Sequence, residues 1–232
     1  MNKILISGAS KGLGKSLAEY YAKCNFEVVT FARTDIDTSN FTNWKHYANV
    51  DVSNVSSLDI LKPELKNCNY LINNVGMAYD GILATQGLES IETMITINLT
   101  SVIYLTKLWV RERMKVKQPG SCIMISSIIS ERGFSGLSVY SATKGALNSL
   151  VQSLAREMGP YNIRFNAILP GYFESELSKS LSQGKKQQII NRTPLNRLAV
   201  IDDIIPAIDF MLSANAKFIT GSCLKIDGGL TV

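Results

Sequence analysis

The chain has 232 residues, 46% hydrophobic and 19% charged, which is enough apolar material for a substantial core and excludes a disordered chain. Its net charge of +5 comes from 24 basic and 19 acidic residues with no basic arm, which argues against nucleic acid and leaves phosphorylated ligands or an acidic carrier as milder attractions. One histidine, His46, and four scattered cysteines, Cys24, Cys68, Cys122 and Cys223, argue against a metal site or a disulfide framework.

The first element, "KILIS", is an apolar run cut off by Ser7 and Gly8, too short for a signal sequence or a membrane span. A cytoplasmic protein with no membrane partner is expected. Leu13 to Lys23 follows with helical spacing, Leu17, Tyr20, Tyr21 and Cys24 recurring at three and four. Then come "FEVVTFA", a loop, "NYLINN", a helical stretch from Ile91 to Lys117, "SCIMISS", a second from Tyr140 to Met158, "IRFNAIL" and "CLKID". Strands separated by helix-length segments predict one doubly wound α/β domain over residues 1–232, with about seven mostly parallel strands covered on both faces. Gly171 to Pro194 breaks the regularity, being polar and rich in Ser, Lys and Gln, and reads as a mobile flap containing short helices.

Between the first strand and the first helix, "GASKGLG" places Gly8, Gly12 and Gly14 where a tight turn lets the backbone approach a pyrophosphate, whose charge meets the free N–H groups of the helix. Ser10, Lys11 and Leu13 belong to the same expected dinucleotide loop. After the second strand, a site preferring NAD would carry an acidic residue for the ribose hydroxyls, whereas this chain has Ala32 and Arg33, with Asp35 beyond. The Arg33 guanidinium suits bidentate capture of a 2′-phosphate and Lys11 adds a second charge, which points to NADP(H). The alternative is that both are ordinary surface cations.

Tyr140 and Lys144 form a Tyr-x-x-x-Lys pair, a spacing that chance supplies readily. Its company is more specific. The glycine loop, Asn73-Asn74-Val75-Gly76 after the fourth strand, Asn98 in a helix, Ser127 thirteen residues before Tyr140, Pro170-Gly171 and "FITGSCLKIDGG" together resemble the short-chain dehydrogenase/reductase family over essentially the whole chain. Departures are small: Ser7 and Ser175 where threonine is usual, and Val75 where alanine is usual. The resemblance implies a catalytic set of Asn98, Ser127, Tyr140 and Lys144. Tyr140 would be the proton donor, with its pKa lowered by Lys144 one turn away and by an oxidised nicotinamide. Ser127, rather than its neighbour Ser126, would hold the substrate carbonyl, and Asn98 would hold a water that connects Lys144 to solvent. The alternative for Asn98 is a packing distortion of its helix. The same resemblance assigns Asp51 to the adenine amino group, Val52 to its ring edge, and Asn74 and Gly76 to the adenosine side of the cleft. Lys144 would also meet the nicotinamide ribose, and Pro170, Gly171, Phe173 and Ser175 the nicotinamide end. His46 reads as structural or surface.

Within the family the pattern is closest to the 3-oxoacyl carrier-protein reductases of fatty acid biosynthesis, through "INLTSVIYLTK" and "SLAREMGPYNIRFNAILPGYFESEL". That implies an acyl-carrier-bound ketone as substrate and a homotetramer, or failing that a homodimer. However, Gln118 and Tyr161 stand where carrier-binding arginines are common, and Arg111, Arg113, Lys115 and Lys117 are possible substitutes. A reductase of a free ketone, such as a sugar or secondary metabolite, is the second enzyme reading. A cofactor-binding scaffold or sensor without turnover is the third.

Overall fold

The computed structural model describes residues 1–173 and 182–232. Among them, β1 (Lys3–Ser7), β2 (Glu27–Phe31), β3 (Trp44–Tyr47), β4 (Tyr70–Asn73), β5 (Gly120–Ile125), β6 (Ile163–Pro170) and β7 (Cys223–Ile226) form one sheet in the order β3-β2-β1-β4-β5-β6-β7. Every neighbouring pair is parallel, as alternating strands and helices predict. The chain winds outward from β1 to β3 and then returns to place β4 on the other side of β1. The crevice at the carboxyl ends of β1 and β4 is therefore the switch point at which such sheets hold ligands.

β3 corrects the reading of its segment as loop. Four residues are too few for a visible alternation, and they become strand because they pair in register with Val28–Phe31 while Trp44 is buried.

The helices are α1 (Gly12–Lys23), α2 (Leu88–Ile95), α3 (Ser101–Val116), α4 (Ser138–Met158), α5 (Gln183–Arg192) and α6 (Ile201–Leu212). Alternation along the strands divides the core in two. Leu5, Val29, Leu71, Cys122 and Phe165 face Val102, Leu105 and Trp109 of α3 and Leu147 and Val151 of α4. Ile4, Ile6, Val28, Ile72 and Ile123 face Leu13, Leu17 and Tyr21 of α1 and Ile204 and Ile208 of α6. Each fully buried aliphatic side chain stabilises the fold by about 1.5–3 kcal/mol, so the two layers fix the strand ends rigidly. A π-turn at Thr96–Thr100 joins α2 to α3 in one continuous helix, Leu88–Val116, long and apolar enough to cross a bilayer, whose apolar side instead covers the sheet. Of the expected flap, α5 is described, opening after Ser182, whose Oγ accepts from Lys185 N at 3.3 Å. Residues 174–181, including Ser175, lie outside the described residues.

Candidate active site

The turn after β1 is built from close contacts. Gly8 has φ +67, and a Cβ at Gly14 would stand 2.4 Å from the Gly8 carbonyl oxygen and 2.6 Å from Asn74 Nδ2, so no side chain fits there. Asn74 closes the other side: its Nδ2 donates to the carbonyls of Ser7 at 3.1 Å and Gly8 at 3.0 Å. Ser7 Oγ accepts from Asn74 N at 2.8 Å and Val75 N at 3.0 Å, so serine supplies the hydroxyl needed at that position. α1 then begins at Gly12 with no side-chain cap and no acidic residue in its first turn, leaving its N–H groups and positive end to an anion. Lys11 is exposed, Ser10 half-buried, and Leu13 turns into the core. This cradle fits a pyrophosphate.

Further along the same crevice, Arg33 is exposed beyond the end of β2. Asp51 Oδ1 accepts from Ser53 N at 2.9 Å. That bond, aided by the Arg33 charge and opposed by partial burial, holds the Asp51 carboxyl below the usual carboxylate range. The Val52 side chain is buried in the core.

A cleft of about 420 Å³ opens at the carboxyl ends of β4, β5 and β6. It gathers Leu13, Asn74, Gly76, Ser127, Tyr140, Lys144, Pro170, Gly171 and Phe173 from segments far apart in sequence. Arg33, Asp51, Val52, Asn98 and the rest of the glycine loop do not line it. α4 starts at Ser138, so Tyr140 stands in its first turn and Lys144 one turn on. Lys144 is 3% exposed; its Nζ donates to the Ile125 carbonyl at 2.8 Å and lies 5.8 Å from the centre of the Tyr140 ring. A Cβ at Gly76 would stand 3.2 Å from that Nζ, a tight approach to the buried lysine. The two neighbouring serines differ in their bonds. Ser126 Oγ donates to the Lys144 carbonyl at 3.0 Å and so fastens α4 to β5, whereas the Ser127 hydroxyl interacts with the Tyr140 phenol.

The electrostatics differ from the expectation that Lys144 lowers the pKa of Tyr140. Burial pushes the Tyr140 phenol up to about 12, the Ser127 hydroxyl pulling back only part of the way. Burial also brings the Lys144 ammonium down to about 8. In the protein alone, desolvation governs the phenol, and the Lys144 ammonium is hydrogen-bonded to the Ile125 carbonyl rather than to the phenol oxygen.

Asn98 is fully buried in the π-turn. Its Oδ1 accepts from Met77 N at 2.8 Å, and its Nδ2 donates to Met77 O at 2.8 Å and Thr143 Oγ1 at 3.1 Å. Both Nδ2 hydrogens are thus used within the chain, and Oδ1 keeps one lone pair beyond its bond from Met77 N. Thr143 Oγ1 also donates to the Tyr140 carbonyl at 2.8 Å, so one hydroxyl links Asn98 to the helix bearing Tyr140 and Lys144. Sequence reasoning missed Thr143, and also Tyr79, Asp80 and Tyr172 in the cleft wall. Tyr172 stands edge-on to Phe134 at 6.2 Å, in the stretch leading into Tyr140; its position beside Pro170-Gly171 was the available signal.

The candidate carrier-binding cations divide. Arg113 is 2% exposed and donates to the Lys66 carbonyl, and Lys115 pairs with Glu112 at 2.5 Å. Arg111, Lys117, Gln118 and Tyr161 are exposed. Lys117 and Gln118 precede β5, whose far end carries Ser127, so they lie roughly 20 Å from the cleft along the strand.

A family model described as enoyl-(acyl carrier protein) reductase matches residues 8–231. The chain is 31% identical over 234 residues to 3-oxoacyl-(acyl-carrier-protein) reductase FabG of Escherichia coli (strain K12), covering 97% of this chain and 96% of that protein. Its fold is similar to 4-hydroxyisoleucine dehydrogenase complexed with NADH, at TM-score 0.93 and 26% identity, covering 100% of this chain and 99% of that one. It is also similar to a gluconate 5-dehydrogenase from Burkholderia cenocepacia J2315 in complex with NADP and tartrate, at TM-score 0.92 and 26% identity, covering 99% and 95%. The glycine cradle at the switch point, the Ser127, Tyr140 and Lys144 cluster and a match over nearly the whole length lead to one conclusion: the chain belongs to the short-chain dehydrogenase/reductase family of oxidoreductases.

Proposed function

We propose that the protein is an NADPH-dependent reductase that converts a ketone to a secondary alcohol, with a 3-oxoacyl thioester as the best candidate substrate. The observation that carries this is the convergence of Ser127, Tyr140 and Lys144 on one mostly apolar cleft beside the glycine cradle. Gly8, Gly12, Gly14 and the α1 N-terminus would hold the pyrophosphate, Lys11 and Arg33 the 2′-phosphate, Asp51 and Val52 the adenine, and Pro170, Gly171 and Phe173 the nicotinamide end. NADPH, when bound there, supplies the hydride.

The chain's own residues supply orientation and the proton. The Ser127 hydroxyl donates to the ketone oxygen and holds it beside the Tyr140 hydroxyl. As the carbonyl carbon gains its C–H bond, the oxygen takes the Tyr140 proton and leaves a phenolate. The Lys144 ammonium and Ser127 stabilise that phenolate, whose proton is restored from solvent. A phenol near 12 keeps its proton at neutral pH and still gives it readily to an alkoxide, which is far more basic. Asn98, through Met77 and Thr143, fixes the relative placement of the loop and helix that carry these groups.

Relatives named for carrier-bound 3-oxoacyl substrates favour the thioester. A specific observation favours a free ketone as the second reading: Arg113 and Lys115 are already engaged within the chain, which leaves fewer cations for an acidic carrier. Oxidation of NADPH followed at 340 nm against 3-oxoacyl thioesters and free ketones separates the two. Turnover confined to thioesters supports the first reading, turnover confined to free ketones the second, and cofactor binding without turnover on either refutes both. The exposed apolar residues Ile95 and Ile103 on α2 and α3, Phe210 on α6, and Phe218 and Leu224 before and within β7, fit burial between subunits of a homotetramer. Light scattering that returns the mass of one 25.5 kDa chain would refute that assembly.

A further inference from the structure

Beyond Phe31 the second strand leaves the sheet, and the corner that carries Arg33 depends on the adjacent segment from β3 for its position. Ala32 N donates to Tyr47 O at 3.1 Å, Val50 N to Ala32 O at 3.0 Å and Asn49 N to Arg33 O at 3.3 Å. The carbonyl of the next residue, Thr34, is met by a side chain, His46 Nε2, at 3.0 Å. Among these contacts it is the one that a substitution can delete.

The ring orientation of His46 is set from inside the fold. Trp44 Nε1 can only donate, and it does so to Thr30 Oγ1 at 2.8 Å. The Thr34 carbonyl can only accept, so Nε2 at 3.0 Å carries the proton, and in the neutral ring Nδ1 accepts from the Thr30 hydroxyl at 2.8 Å. Thr30 is fully buried and Trp44 nearly so, and Thr30 and His46 are partners across the β2 and β3 pairing. The relay therefore runs from the rigid core to the exposed corner.

We propose that His46 is a positioning residue for recognition of the cofactor 2′-phosphate, holding the Arg33–Thr34 corner so that the Arg33 guanidinium meets the phosphate. The proposal rests on the NADPH reading above. Arg33 is exposed, and a mobile backbone beneath it would add its own freedom to that of a long side chain. Fixing the carbonyl next to it removes that freedom before the phosphate arrives. NADH, which lacks the 2′-phosphate, gains nothing from this order.

The test is fluorescence titration of NADPH and of NADH with the whole protein, for wild type, His46→Ala and His46→Gln. A glutamine amide can donate to the Thr34 carbonyl and accept from Thr30, so it conserves the relay. His46→Ala is expected to weaken NADPH binding about 3- to 10-fold, in line with loss of one ordering hydrogen bond, and to change NADH binding less than about 2-fold. His46→Gln recovers most of the loss. A wild type that prefers NADPH, with His46→Ala weakening both cofactors equally or neither, overturns the proposal and leaves the NADPH reading standing. A wild type that binds both equally overturns the NADPH reading and this inference with it.

Discussion

Lys144 and Tyr140 share one consequence of burial: each is pushed toward its neutral form, the lysine to about 8 and the phenol to about 12. For Lys144 the folded pKa lies below the 10.5 of the free group, so the charged form is penalised in the fold. The cost is full below pH 8 and disappears as the pH rises from 8 to 10.5. Lys144→Met, which keeps the length and removes the charge, should therefore abolish reduction and yet raise stability at pH 7. After allowing for the lost bond to Ile125, the net gain is about 2 kcal/mol, or roughly 4–8 °C in Tm. Thermal melts at pH 7 and pH 10.5 check it: the variant's advantage should shrink at the higher pH, and a variant less stable than wild type at pH 7 would contradict the reading. A residue retained at such a cost is held by its chemistry rather than by packing. The sequence made Tyr140 and Lys144 legible through spacing and company. Their protonation behaviour was not legible, because desolvation depends on neighbours such as Ile125 and Tyr172 that only the fold assembles.

At the scale of elements, the edge opposite the cleft has its own organisation. Glu64, in the helical turn Lys62–Leu65, receives Lys3 Nζ from β1 at 2.6 Å, and Lys45 Nζ at 2.7 Å and the Tyr47 hydroxyl at 2.5 Å from β3. Burial, the largest single effect, pushes its carboxyl up, but the two ammoniums and the phenol together outweigh it and hold Glu64 at about 2. A depressed carboxylate contributes stability that is present above the free value of 4.5 and lost as the pH falls toward 2. Glu64→Gln should cost about 2–4 kcal/mol at pH 7, or roughly 5–15 °C in Tm, with the difference closing as the pH approaches 2. Equal melting temperatures at pH 7 would count against the network. β3 shows why this region escaped the sequence reading. "WKHY" is four residues with no apolar alternation, and each side chain is accounted for by a partner elsewhere: Thr30 for Trp44 and His46, Glu64 for Lys45 and Tyr47. Likewise, Asn98 suggested either catalysis or a helix distortion; the distortion is there, as a π-turn, and the side chain ties it to Met77 and Thr143.

At the scale of the molecule, seven parallel strands in the order β3-β2-β1-β4-β5-β6-β7 bring the glycine cradle and the Tyr140 cleft to the same edge of the sheet. Apolar runs alternating with helical spacing were enough to foresee a doubly wound parallel sheet, though neither β3 nor the strand order, since parallel strands need long crossovers and the crossovers here are mostly helices. The identity of the ketone lies beyond that logic, because the cleft wall comes from Tyr79, Asp80, Leu137 and Tyr172, on loops whose chemistry no strand or helix pattern encodes. In the proposed reaction Tyr140 gives its proton to the oxygen of the carbonyl being reduced. The most direct test is kcat for wild type and Tyr140→Phe on the best ketone found, with NADPH affinity measured alongside. A fall of about 100-fold or more is expected, the range general acid catalysis supplies, with cofactor affinity within about 3-fold. Near-normal turnover by Tyr140→Phe would contradict it.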